Sequence, residues 1–261
     1  MKKPAWVIDK EKARRAERSE TLWLFGLHAV RDALLNPARG RGRLVVTRNA
    51  ADRLAAAIAE SGMTPELADA RRFPVPLDPG SVHQGAALEV RPLDWGALDA
   101  VCAPPAVGRG LVVLLDRVSD PHNVGAILRS AEVFGAQAVI APERHAAPET
   151  GALAKTASGA LERQPYLRVR NLSDTMLKLQ KMGYLMVGLD GAATADLGPT
   201  LDGFADAPVG LVLGAEGPGL RERTRATCDA LVRIPAQGAF GSLNVSNAAA
   251  VALYAARHAT G

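Results

Sequence analysis

Leu111-Val-Val-Leu-Leu-Asp116-Arg-Val-Ser-Asp120-Pro-His-Asn123-Val-Gly125-Ala-Ile-Leu-Arg129 decides the fold class. Leu111–Leu115 is apolar throughout and has no polar face, so it predicts a strand covered on both sides. The polar stretch from Asp116 ends that strand, and from Val124 apolar residues recur at helical spacing. A strand, a short polar loop and a helix open a parallel α/β unit. The alternation continues downstream. Gln137–Ala141 predicts a strand and Ser173–Met182 a helix, and Tyr184–Gly188, Val209–Leu213 and Leu231–Ile234 predict three further strands. A helix from about Asn244 to His258 closes the chain, with Val245, Ala248, Ala249, Ala252, Leu253 and Ala256 on one face. The expected fold class is α/β, a mostly parallel sheet with helices on both faces.

Upstream, residues 21–93 predict a smaller α/β domain. Apolar residues recur at helical spacing over Leu24–Leu35 until Asn36-Pro37 stops them. Leu44–Thr47 reads as a strand, residues 51–60 as an Ala-rich helix ended by Ser61-Gly62, and Ala86–Val90 as a second strand. Residues 92–110 contain Pro92, Pro104, Pro105, Gly108 and Gly110, and by composition 94–109 is a linker. Residues 1–20 are polar and basic without periodicity and predict a flexible arm. The division is therefore arm 1–20, small domain 21–93, linker 94–109 and main domain 110–261.

Apolar residues make up 48% of the chain but aromatics only 4%, so the core must be built from Val, Leu, Ile and Ala. The formal net charge of +4 suits a polyanionic partner. Lys2, Lys3, Lys10, Lys12, Arg14, Arg15 and Arg18 crowd the arm, and Arg39, Arg41, Arg43 and Arg48 form a second cluster. These are phosphate contacts, or else a solvated tail and a charged loop. No stretch approaches the ~20 apolar residues of a membrane span. The N-terminal residues lack the apolar core of a signal peptide. Both observations predict a cytoplasmic protein without a membrane partner. Cys102 and Cys228 stand outside any CxxC or Cys/His cluster, which predicts two reduced thiols and no metal site.

In open α/β sheets, ligands bind beyond the carboxyl ends of the strands. Three polar or glycine-rich segments fall there. The first is the Asp116–Arg129 loop and helix start, in which Asn123 stands where an N-cap belongs. The second is Leu213-Gly214-Ala215-Glu216-Gly217-Pro218-Gly219-Leu220, whose glycines let backbone approach a ligand. It lacks the P-loop Lys-Ser/Thr and is not GxGxxG. The third runs from Ile234-Pro235 to Gly241-Ser242-Leu243-Asn244-Val245-Ser246-Asn247. For the first and third, helix capping is the alternative to ligand binding. Together they bring a carboxylate, a guanidinium, amides, hydroxyls and flexible backbone. A histidine base, a partnered cysteine, paired carboxylates and a metal cluster are all missing. That inventory suits binding and aligning two reactants better than covalent or metal chemistry.

In this order and spacing, Asp120-Pro-His-Asn-Val-Gly…Arg129, Leu213–Leu220 and Ser242-Leu-Asn-Val-Ser246 closely resemble the motifs of the SPOUT superfamily. Within it they resemble the SpoU (TrmH-type) RNA ribose 2′-O-methyltransferases, over roughly Gly110–Arg257. The resemblance implies S-adenosyl-L-methionine as cofactor, a C-terminal trefoil knot and a homodimer with its site near the interface. Such knots are rare exceptions to chain-connection rules. It also implies cofactor contacts at Gly214, Ile234 and Leu243, largely through backbone. Asn123, Arg129, Glu216, Ser242 and Asn244 match the family's active-site positions. Asn247 stands where many relatives carry an apolar residue. The first domain resembles the family's ribosomal-protein-like substrate-binding domain, through Phe25-Gly-Leu-His28-Ala-Val30 and Val82-His-Gln84-Gly85. It favours the branch that methylates a guanosine in 23S rRNA over the shorter tRNA-modifying members. A tRNA ribose methyltransferase and a non-catalytic, RNA-binding ribosome-assembly factor stand as alternatives. A generic Rossmann enzyme is disfavoured, because no glycine fingerprint follows Leu111–Leu115.

Overall fold

The computed structural model describes residues 21–78, 80–204, 207–238 and 243–259. The predicted arm, residues 1–20, lies outside the described residues, as does Ser242. In chain order the elements begin β1 (Leu22–Phe25), α1 (Leu27–Leu35), β2 (Arg41–Val46), α2 (Arg48–Arg53), α3 (Ala55–Ser61), β3 (Glu66–Leu67), a 3-10 turn (Ala70–Arg72) and β4 (Ala86–Val90). They continue α4 (Leu98–Val101), β5 (Leu111–Asp116), α5 (Pro121–Val133), β6 (Ala138–Pro142), α6 (Gly151–Ala157), a 3-10 turn (Ala160–Glu162) and β7 (Tyr166–Val169). The remainder are α7 (Leu172–Lys181), β8 (Leu185–Leu189), β9 (Ala195–Asp196), α8 (Leu197–Asp202), β10 (Val209–Gly214), α9 (Glu222–Thr227), β11 (Ala230–Arg233) and α10 (Val245–His258). No helix among the described residues is long and apolar enough to cross a membrane.

The chain divides into two compact units. The first joins Met1–Asp94 to Glu149–Glu162, and the second joins Trp95–Pro148 to Arg163–Gly261.

In the first unit a four-stranded sheet has the order β1-β4-β2-β3. β4 runs antiparallel to both β1 and β2, and β3 runs parallel to β2. The helix expected over Leu24–Leu35 is split. Leu22–Phe25 is a strand paired with β4, and Gly26 at φ 92 separates it from α1. The apolar spacing runs on across the break and merges the two in sequence. Gln84 Oε1 accepts the Leu27 N–H at 3.1 Å, so the Phe25–Val30 and Val82–Gly85 segments meet at the N-terminus of α1. Arg39 is buried. Its guanidinium donates to Glu162 (Nε to Oε2 3.0 Å, Nη2 to Oε1 2.7 Å) and to Glu149 (Nη1 to Oε1 2.8 Å). Burial lowers the Arg39 pKa, but the hydrogen bonds and charges of the two glutamates outweigh it and the net shift is upward. Arg39 therefore leaves the expected phosphate-binding cluster. Arg41 also turns inward, donating to Leu34 O, and Arg43 makes a two-point pair with Glu66.

The second unit is built on a seven-stranded sheet of order β7-β6-β5-β10-β8-β11-β9, parallel in every recorded pairing. β5 is buried along its whole length, as its unbroken apolar run requires. α7 packs on one face, where Val112, Leu114, Ile140, Met176, Leu179 and Tyr184 form a cluster. The Tyr184 hydroxyl is satisfied there, its one proton facing two acceptors, Gln137 Oε1 at 2.5 Å and Cys102 O at 3.0 Å. α10 packs against β10, α5 and α8. Residues 94–109 differ from a linker. Trp95, Leu98 and Val101 pack against the same cluster and Cys102 is fully buried. Their spacing is that of one helical face, which the surrounding prolines and glycines obscure. α5 begins at Pro121 with Asp120 as its N-cap, accepting from His122 N at 2.9 Å. Asn123 therefore sits inside the first turn rather than at the cap. Asp-Pro is the stronger start signal, since proline suits the first helical position.

Candidate active site

A cavity of about 480 Å³ opens at the carboxyl ends of β8, β10 and β11. That is within the ~300–1,000 Å³ usual for small-molecule sites. Its walls are largely apolar, with Leu189, Leu213, Val232, Ile234, Leu243 and Val245 among the lining residues. Asp190 and Glu216 bring carboxylates to it. Gly214, Ile234 and Leu243 all line this one cavity. An apolar enclosure with a few polar groups fits a flat heteroaromatic ring joined to a charged, polar tail, as in S-adenosyl-L-methionine.

The loop after β10 shapes the cavity. It folds back on itself, with Gly219 N donating to Ala215 O at 2.9 Å. At Gly214 a Cβ would lie 2.2 Å from the Gly219 carbonyl carbon and 2.5 Å from Leu220 N. No side chain fits between those backbone segments. The loop is held from below by Asp116, which is fully buried. Arg221 donates to it twice, from the backbone N to Oδ2 at 2.9 Å and from Nε to Oδ1 at 2.6 Å. Gly214 and Asp116 are register partners on adjacent strands, so the sheet itself aligns the anchor with the loop.

At the Glu216 edge, three chain segments meet. Asn123 Nδ2 donates to Glu216 Oε1 at 3.3 Å, and Asn244 Nδ2 donates to the same oxygen. Val245 N donates to it as well, at 3.3 Å. Asn244 Nδ2 also donates to Asn123 Oδ1 at 3.0 Å. Asn244 is the N-cap of α10, accepting from Ser246 N at 2.9 Å through Oδ1. Capping and site membership coexist because the amide carries separate acceptor and donor ends.

Arg129 stands apart. It is exposed on α5, with no hydrogen bond to Asn123, Glu216 or Asn244. Six residues along a helix turn the side chain by roughly 240° from Asn123, so the two do not share a face. Asp190, Gly191 and Ala248 line the cavity without having been expected there from the sequence, while Pro235 and Ala236 belong to the third segment, which was. Asp190-Gly191 follows the strand predicted over Tyr184–Gly188 with one residue between, the signal that could have found it. Ala248 belongs to the apolar face expected on the last helix, yet it is only half-buried because it faces the cavity.

Neither thiol is poised as a nucleophile. Burial pushes Cys102 up to about 11, and burial with the nearby charges of Asp229 and Asp116 pushes Cys228 up to about 12. No group of three or more His, Cys, Asp or Glu side chains that could hold a metal ion occurs among the described residues.

The model of the SpoU rRNA Methylase family matches residues 110–254. The 23S rRNA (guanosine-2′-O-)-methyltransferase RlmB of Vibrio vulnificus (strain CMCP6) is 38% identical over 246 residues, covering 90% of this chain and 95% of that protein. RlmB of Pseudomonas syringae pv. tomato (strain DC3000) is 39% identical over 251 residues, covering 89% and 94%. Among solved structures, the SpoU methyltransferase AviRb from Streptomyces viridochromogenes, in complex with the cofactor AdoMet, superposes with a TM-score of 0.75 at 26% identity, covering 93% of this chain and 91% of that one. The TrmH/SpoU tRNA modifying enzyme of A. aeolicus superposes with a TM-score of 0.51 at 24% identity, covering 61% and 78%. The chain belongs to the SpoU rRNA Methylase family.

Proposed function

We propose that this chain transfers a methyl group from S-adenosyl-L-methionine to the ribose 2′-hydroxyl of a guanosine in 23S rRNA. The observation that carries the reading is the Glu216 carboxylate gathering Asn123 and Asn244 at the edge of the cavity that Gly214, Ile234 and Leu243 line. The likeness to RlmB proteins supports the ribosomal substrate, since it extends over 90% of the chain and so includes the first unit. The tRNA modifying enzyme aligns with only 61%.

Bound in the cavity, S-adenosyl-L-methionine supplies an electrophilic methyl group on a sulfonium. Gly214, Ile234 and Leu243 hold it, largely through backbone groups. Asn123 and Asn244, fixed by Glu216, orient the ribose and the methionine end, and Ser242 belongs with them. Fixing the reacting atoms in line can supply roughly 7–11 kcal/mol. Arg129, exposed on α5 outside that network, would be the cation that grips an adjacent phosphate and stabilises the alkoxide as it develops, while the hydroxyl proton passes to bulk water.

The protein acts as a homodimer with the site near the interface, in the cytoplasm where ribosomal RNA is made. Val133 at the end of α5 and Val251 and Tyr254 on α10 are exposed apolar side chains on two helices packed together, which supports a dimer face. The C-terminal segment is knotted. In support, β11 pairs with β8 and not β10, while α10 returns beyond it to pack on β10, α5 and α8. The first unit selects the RNA.

The test is methyl transfer from labelled S-adenosyl-L-methionine to fragments of 23S rRNA and to bulk tRNA. Incorporation is expected at a single ribose of the rRNA, absent when that 2′-hydroxyl is replaced by hydrogen. Incorporation only into tRNA would shift the substrate, and no binding of the cofactor would leave an RNA-binding assembly factor.

A further inference from the structure

A second, smaller cleft of about 280 Å³ lies on the other half of the sheet's carboxyl edge. Four of its lining residues are arginines. Arg144 follows β6, Arg170 follows β7, and Arg221 and Arg223 bracket the start of α9. Leu172 and Ser173, the first two residues of α7, also line it. The first N–H groups of a helix have no intrahelical acceptor and carry the positive end of its dipole.

The charges around the cleft do not cancel. Arg221 is paired with Asp116 and Arg223 with Asp174 at 2.6 Å. Among the described residues, the side chains of Arg144 and Arg170 have no ion-pair partner. Two guanidiniums are left over, each with five donors in a planar fork that matches a phosphate. Nothing in the fold of the second unit requires them, since both are exposed.

The cleft is coupled to the proposed active site. Gly219 lines the large cavity and Arg221 lines this cleft, on one loop. Two residues of extended chain span at most about 7 Å. The cavity and the cleft therefore border one loop, so a polynucleotide whose ribose enters the first has the second as a neighbouring surface. We propose that the Arg144–Arg170 cleft binds a phosphodiester of the RNA chain flanking the methylated nucleotide and sets the register of that strand. This rests on the methyltransferase reading for the identity of the neighbouring site, but the phosphate contact can be measured separately.

The test is the double variant Arg144→Gln/Arg170→Gln in the full chain. The control is Lys178→Gln/Lys181→Gln, which removes the same charge from the opposite end of α7. Binding of a 23S rRNA fragment is followed by fluorescence anisotropy across a salt series, and methyl transfer by label incorporation. The cleft variant should bind RNA about tenfold more weakly, and the slope of log affinity against log salt should fall by about 1 for each phosphate no longer held. Its KM for RNA should rise while its affinity for S-adenosyl-L-methionine and its rate at saturating RNA stay as in the wild type. The control should keep the wild-type slope. Equal affinity and slope in cleft variant and wild type overturn the proposal. So does a change seen only in binding of inorganic phosphate, which would make the cleft a free-anion site. A wild type that binds the RNA through these arginines but transfers no methyl group would remove the methyltransferase reading and leave the phosphate contact standing.

Discussion

Glu216 Oε1 accepts hydrogen bonds from Asn123 Nδ2, Asn244 Nδ2 and Val245 N, so one carboxylate oxygen fixes two amide side chains and the first turn of α10. Hydrogen bonds to an ionised acceptor are about twice as strong as neutral ones. Glu216→Gln keeps the shape and removes the charge, and it turns one oxygen into an NH2 group facing donors. The amides should lose their orientation while the apolar cavity wall is untouched. Misplacement by 1 Å can cost about 10²-fold in rate. The single-turnover rate of methyl transfer at saturating cofactor should therefore fall by about that factor. A wild-type single-turnover rate would sink the idea that the carboxylate orients the amides. At this scale the sequence leaves two readings open for Asn244, cap or site, and the structure realises both through the two ends of one amide. It could not reveal that Glu216 holds both amides. That depends on where two loops meet, 93 and 28 residues apart along the chain.

Strands buried on both faces announce themselves, and β5, β6, β8 and β10 lie within one or two residues of their predicted positions, as does the half-buried β11. Short elements do not. The second half of Leu22–Phe25 reads as helix because Leu24, Leu27 and Val30 keep helical spacing across Gly26. β7 (Tyr166–Val169) escapes because it is four residues long, half-buried at one end and followed by Arg170. A short apolar run cannot be assigned by period alone. The β10 loop is visible as glycine-rich, but its closure on itself is not. That closure makes a prediction for Gly214→Ala. The new methyl group would meet backbone atoms of Gly219 and Leu220, which cannot rotate away as a flexible side chain can. Forcing it in should cost roughly 1–3 kcal/mol of strain, relieved by opening the loop toward the cavity. Cofactor affinity should fall at least about tenfold, the equivalent of 1.4 kcal/mol, while the far-ultraviolet circular dichroism is retained. Calorimetric binding at wild-type strength would show that the loop is not part of the cofactor site.

Over the whole molecule, chain order and spatial grouping part company at residues 149–162. They leave the second unit after β6, join the first unit as α6 and a 3-10 turn, and return to form β7. α6 packs on β1, and Asn36 Nδ2 donates to Glu162 O at 3.1 Å and to Glu162 Oε2 at 2.9 Å. No periodicity or motif could have signalled this, because Arg39 finds its partners 110 and 123 residues downstream. Its arginine neighbours make it look like a surface contact for RNA. One consequence concerns any attempt to isolate the main domain: cutting the chain near Asp94 removes β1, α1 and Arg39, and leaves Glu162, Leu153 and Leu161 without their cover. The sharper test keeps the chain whole. In Arg39→Met the guanidinium goes and two carboxylates stay behind, with side-chain exposures of 15% for Glu149 and 3% for Glu162. Removing one partner of a buried pair typically costs about 3–5 kcal/mol, whereas replacing the whole set with apolar groups is often neutral. Arg39→Met should therefore destabilise the first unit by that much, read as a lower urea midpoint of its unfolding. The triple variant Arg39→Met/Glu149→Leu/Glu162→Leu should recover most of the stability. If Arg39→Met unfolds at the wild-type midpoint, residues 149–162 are not an integral part of the first unit, and truncation near residue 94 becomes a legitimate way to separate RNA selection from methyl transfer.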